Sequence, residues 1–300
     1  MVSAFYITLF VFGLIIGSFL NVLVLRYDPN GKLFDRKKLS GRSRCPHCMH
    51  ELGTAELVPI FSFLFQLGRC RKCGHKLSFR YPLVEFLSGA IFLAVPMFLN
   101  GFYNVSAISF ANFGLEWWYY ALLLLWVLVF LSLLAIAAID LRNYVIPNEL
   151  NALLAVFGVI IAAILFYYSE KLFPFRDSFL QQYQLVFSPF QNLILNRLLG
   201  MFAGGLFFGL LVFLSRGRGM GMGDVKLALA LGLVFGWPDV ALSTIIAFVL
   251  GGLVGGILLA GGKKHIKDKL PFAPFFVLGT FLTVFLGHAI VTGYFGLFGI

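Results

Sequence analysis

The chain has 300 residues, of which 60% are hydrophobic and only 12% charged, and a mean hydropathy of +0.93. Such a composition excludes an ordinary soluble domain and describes an all-α polytopic membrane protein. The formal net charge of +10 reads as topology and contact with anionic membrane lipid, and no nucleic acid is expected as a partner, since that would want a basic face interleaved with aromatics.

A spanning helix needs about 20 predominantly apolar residues. About eight stretches qualify, near 4–25, 83–100, 119–139, 150–168, 198–214, 225–239, 241–261 and 271–297. The first, "AFYITLFVFGLIIGSFLNVLVL", lacks a basic n-region and a small-residue cleavage site, so residues 1–25 read as a retained transmembrane helix.

Residues 26–82 form the one loop long enough to be a small domain, and they hold all four cysteines. "CPHC" (Cys45, Cys48) and "CRKC" (Cys70, Cys73) are two C-x2-C knuckles separated by 21 residues. Four thiolates complete the tetrahedral shell that structural Zn²⁺ favours, leaving His47, His50 and His75 to solvent. Disulfides and free thiols are the alternatives, the former disfavoured in a reducing compartment. "AELVPIFSFLFQLG" (55–68) is too short to span and reads as a core or interfacial helix. No internal repeat stands out.

Residues 83–300 make up the remaining membrane domain. Positive loops stay on the cytoplasmic side. Loop 26–82 carries 12 of the 23 Lys and Arg residues, and with the loops around 140–149, 215–226 and 262–270 the same side reaches 20, against Lys171, Arg176 and Arg197 on the other. Eight spans then put both termini outside and the cysteine loop inside. The 169–196 loop mixes aromatic and polar residues like an interfacial stretch and shows no evident chemistry.

Two acidic residues lie at the cytoplasmic ends of spans three and six: Asp140 closes "LSLLAIAAID", and Asp224 follows "GMGMG". Each alone reads as structural, Asp224 as a helix cap and Asp140 as a partner of Arg142. Brought together, they can share one proton and supply an acid and a base, the chemistry of an aspartic protease. Gly221 and Gly223 would let the backbone turn sharply and a substrate approach. Glu85, in "YPLVEFL", is a further polar candidate, explained as well by an interfacial or paired role.

These stretches together resemble the type 4 prepilin peptidases, membrane aspartic proteases of the GxGD class. The likeness runs through "GSFLNVLVLR" (17–26), "SRCPHC" (43–48), "GRCRKCGHKLSFRYPLVE" (68–85), "DLRNYVIPN" (140–148), "GMGDVK" (221–226) and "LPFAPFFVLG" (270–279). It implies catalytic aspartates at Asp140 and Asp224 and paired CxxC motifs at Cys45, Cys48, Cys70 and Cys73. It further implies removal of the short basic leader of prepilins or pseudopilins at the cytoplasmic face of the inner membrane, in type IV pilus or type II secretion systems. Many members then methylate the new N-terminus with S-adenosyl-L-methionine, but no binding fingerprint for that donor is visible, and its site and the oligomeric state are left open. A transporter using membrane-edge carboxylates as a proton relay is the non-enzyme alternative, set against by both aspartates lying on one face. A presenilin-like GxGD protease is separated by the zinc-type insert.

Overall fold

The computed structural model describes residues 2–29, 31, 33–35, 40–103, 117–168, 177–217, 219–262, 265 and 269–299. Lys32, Arg36, Lys37, Lys38, Lys171, Arg176, Arg218, Lys263, Lys264 and Lys267, used above for orientation, lie outside them. The long helices are α1 (Val2–Arg26), α2 (Arg80–Tyr103), α3 (Trp117–Asn143), α4 (Asn148–Tyr167), α5 (Leu193–Leu214), α6 (Met222–Phe235), α7 (Asp239–Ala260) and α8 (Ala273–Gly296).

Seven of these are long and apolar enough to cross a membrane; α6 is not. The sixth expected span, 225–239, is therefore corrected. It is a helix of 14 residues, about 21 Å long against a hydrocarbon core of about 30 Å, and its middle is buried in protein. Its apolar run continues past Phe235, but Gly236, at φ 78°, ends the helix.

The chain forms two compact units, residues 1–98 with 126–139 and residues 99–125 with 140–300. In the first, α1 and α2 approach to backbone contact: a Cβ on Gly17 would lie 2.6 Å from the Cα of Glu85. Small residues at such a crossing let main chains pack closely where lipid gives no hydrophobic drive. Between α1 and α2 lie the cysteine knuckles and a short helix, Phe61–Phe65, on which Phe61, Leu64 and Phe65 are exposed.

In the second unit α6 is the central helix. It runs antiparallel to α5, with Gly204 over Ala228 and Gly200 over Gly232, and parallel to α4, with Ile146 at Gly223 and Gly158 at Leu233. A Cβ on Gly200 would sit 2.6 Å from the carbonyl carbon of Gly236. The short helix is closed by Arg197, only 4% exposed, whose Nη1 donates to the carbonyls of Leu233 (2.9 Å) and Val234. A cationic fork on a helix C-terminus satisfies carbonyls that have no partner within the helix. Phe208, Phe248, Phe272 and Phe276 stack between α5, α7 and α8.

The described part of the 169–196 loop is bound to the protein and not merely interfacial. Asp239, at 0% exposure, accepts from the Ser178 hydroxyl at 2.9 Å and the Phe179 amide at 3.1 Å, and Trp237 Nε1 donates to the Phe187 carbonyl at 2.8 Å.

Candidate active site

Asp140 and Asp224 both belong to the second unit. Asp140 lies one turn from the end of α3, is 5% exposed, and its Oδ2 accepts the amide of Ala273 at 3.2 Å. Asp224 is the third residue of α6, half-buried, and its Oδ2 accepts the amide of Gly221 at 3.2 Å. Asp224 is thus not the N-cap expected of it but the third helical residue, its carboxylate reaching back to the N-cap amide as in half of a capping box, since Gly221 has no side chain to return the bond.

Three helix starts converge on this pair. Ala273 opens α8 and bonds Asp140. Gly223 packs on Ile146, where a Cβ would stand 3.2 Å from the Ile146 Cβ, and Lys226 Nζ donates to Asn148 Oδ1 at 2.8 Å, so α4 and α6 begin side by side. Helix N-termini carry unpaired N–H groups and a partial positive charge, which suits a site where carboxylates and a developing oxyanion must be held. The Ala273 amide, Ile146 and the Asn148–Lys226 pair were not singled out from sequence; the only signals were the motifs "LPFAPFFVLG", "DLRNYVIPN" and "GMGDVK" that contain them.

The glycines play other parts than expected. Gly221 has φ −94° and ψ 162°, ordinary extended backbone, so it does not make the sharp turn assigned to it. That turn falls earlier, at Arg216 and Gly217, with φ of 52° and 72°. What Gly221 offers is exposure and open space beside the Asp224 carboxylate. Gly223 serves close packing.

In the first unit the four thiols converge. Cys45 and Cys73 Sγ stand 4.0 Å apart, as do Cys48 and Cys70, and all four sulfurs fall within 4.8 Å of one another. A tetrahedron with metal–sulfur bonds of about 2.3 Å has sulfur–sulfur edges of about 3.8 Å, while a disulfide needs about 2.05 Å. The donor set fits Zn²⁺, and the four cysteines are free. Backbone hydrogen bonding at Cys73 and Lys72 brings the Cys70 thiol down to about 7, while, against the His75 amide, desolvation and the neighbouring thiols push Cys73 up to about 11, so the cluster shares its protons unequally.

The knuckles are also a repeat that the sequence reading passed over. Cys45 and Cys70 amides donate to the carbonyls of His50 and His75, Met49 and Gly74 amides donate back to Cys45 and Cys70, and both turns close at positive φ, 58° and 69°. The bridges Arg44↔Glu51 and Arg69↔Lys76 flank them at the same offset. "RCPHCMHEL" and "RCRKCGHKL" carry the signal as R-C-x-x-C-x-H-x-L. His47 and His75 stack on each other with centroids 4.1 Å apart. Glu85 is paired, its Oε2 accepting the Ile60 amide at 2.7 Å.

Residues 11–99 match the model of the bacterial peptidase A24 N-terminal domain, and residues 126–256 that of the type IV leader peptidase family. The chain is 32% identical over 287 residues to a prepilin leader peptidase/N-methyltransferase of Bacillus subtilis, covering 95% of this chain and 96% of that protein. Proteins of the same description from Burkholderia pseudomallei (30% identical; 92% and 84% covered) and Aeromonas hydrophila (28%; 97% and 93%) are similar over comparable lengths. No solved structure matches.

Proposed function

The chain belongs to the type IV leader peptidase family, and from that premise we propose that it is a membrane aspartic endopeptidase that removes the short leader of prepilins or pseudopilins. What supports the mechanism is that Asp140 is held by the first residue of α8 and Asp224 by the N-cap of α6, beside which α4 begins. Two carboxyl groups in mutual reach hold one proton between them. The ionised member takes a proton from a water as the water attacks the scissile carbonyl, and the protonated member gives its proton to the carbonyl oxygen. The resulting diol collapses as a proton passes to the leaving amine, which restores the pair. The Ala273 amide fixes one oxygen of Asp140 and the Gly221 amide one of Asp224, leaving a second oxygen on each for this work. Gly221, exposed and without a side chain, leaves room for an extended substrate.

The basic loops support a site at the cytoplasmic face of the inner membrane. Cys45, Cys48, Cys70 and Cys73 would hold one Zn²⁺, which would fold the insert and take no part in proteolysis. Methylation of the new N-terminus with S-adenosyl-L-methionine is supported by the description its relatives carry. A proton-relay transporter has no support in these relatives. Co-expression with a candidate prepilin, followed by mass spectrometry of the pilin N-terminus, tests both activities; a pilin that keeps its leader beside normally inserted enzyme overturns the proposal.

A further inference from the structure

In the first unit, between the last turns of α1, the start of α2 and the knuckles, lies a cavity of about 130 Å³. Its walls are largely apolar, with Val22, Leu25, Leu57, Phe63 and Leu77 among them, yet two carboxylates line it, Glu56 and Glu85. Glu85 is 8% exposed and is held by the Ile60 amide at 2.7 Å. Glu56 uses Oε2 to accept the Gly53 amide at 2.9 Å, while its Oε1 is buried and has no partner. The basic residue on the wall, Arg44, is engaged elsewhere, donating to Glu51 at 2.7 Å. In a chain with 23 basic and 13 acidic residues, an apolar cavity with two carboxylates and its own cation turned away is the reverse of what composition favours. An unpartnered buried carboxylate oxygen is costly unless a cation or donor meets it.

We propose that this cavity binds an organic cation with an apolar flank, and that its occupant is the free α-ammonium end of an apolar peptide. Capture of an N-terminal amine by converging acceptors is a known mode of peptide recognition. The assignment of the occupant rests on the proposed function in one respect, since leader removal creates such an end next to an apolar segment. Size permits one apolar side chain at most: a dry cavity of about 150 Å³ takes a benzene ring, and this one, at about 130 Å³, is near that size. The sulfonium of the methyl donor offers similar charge chemistry, but its nucleoside exceeds the space.

Binding to zinc-replete full-length protein in detergent, without methyl donor, decides the matter by calorimetry or saturation-transfer NMR. Phenylalaninamide is expected to bind, and its neutral N-acetyl form to bind at least about tenfold more weakly, the scale of a hydrogen bond to a charged group. Glu56→Gln and Glu85→Gln should each weaken phenylalaninamide by about tenfold. Glutamine at 56 still accepts the Gly53 amide, so zinc content should hold; if Glu85→Gln loses zinc, Glu56→Gln decides alone. Equal binding of the acetylated form, or undiminished binding to the deciding variant, overturns the proposal. So does binding of S-adenosylmethionine with no binding of phenylalaninamide, which assigns the cavity to the donor. Leader removal measured on the same preparations stands apart: protein that cleaves but ignores the amine refutes this inference alone, and protein that binds the amine but never cleaves refutes the peptidase.

Discussion

From residue 40 to residue 79 the only buried residues are Cys45 and Cys70, whereas in the helices after Asp140 burial runs through Leu154, Phe208, Leu227, Val234 and Phe276. The insert has sulfur where a domain would have hydrocarbon, so what orders it is ligation. The helical unit around α6 is ordered by main chains in contact at Gly200 and Gly232 and by stacked phenylalanines. Two stabilities of different origin in one chain can be removed one at a time.

The sharpest break comes at the site itself. Asp140→Asn or Asp224→Asn keeps shape but cannot shuttle a proton, and leader removal should fall by on the order of 10³-fold, with membrane levels and zinc content unchanged. Wild-type cleavage by either variant would end the two-aspartate mechanism. Next in size is Gly232→Val, which drives a side chain into the Gly200 backbone; a cost of about 3 kcal/mol is expected, read as a lowered melting temperature and less folded enzyme, while zinc content per folded chain holds.

Cys45→Ser or Cys70→Ser acts on the other unit. Zinc, about one per chain in wild type, should be lost, and methylation with it, while cleavage continues; fully methylated pilin would contradict this, and uncleaved pilin would show that the insert supports proteolysis too. Protonation does the same reversibly. Protons compete with the metal for the four thiolates, so zinc should be retained at neutral pH and released on acidification. Smallest is Glu51→Gln. This exposed partner of Arg44 and Arg42 should change neither zinc content nor cleavage measurably.

Hydropathy alone made most of the helical architecture legible, because seven segments are long and apolar enough to announce themselves. It failed at α6. Apolar residues that face protein and apolar residues that face lipid look alike in a window, and only the Gly236 stop distinguishes a 14-residue interior helix from a span. The aspartates and cysteines were legible because carboxylates are scarce in such a chain and C-x2-C spacing is specific. Ala273 was not, since its contribution is a backbone amide that any residue except proline could supply. Arg197 was read as a topological charge, though it caps a helix through tertiary contact.

The register of α5 against α6 sets how deep Asp224 lies. With Gly204 over Ala228 in antiparallel alignment, Asp224 falls level with Phe208, six residues before the end of α5 at Leu214. At 1.5 Å per residue that is about 9 Å. The short central helix therefore starts well below the end of its neighbour, and Asp224 starts there with it. A peptide that meets this carboxylate has to reach past the last turns of α5.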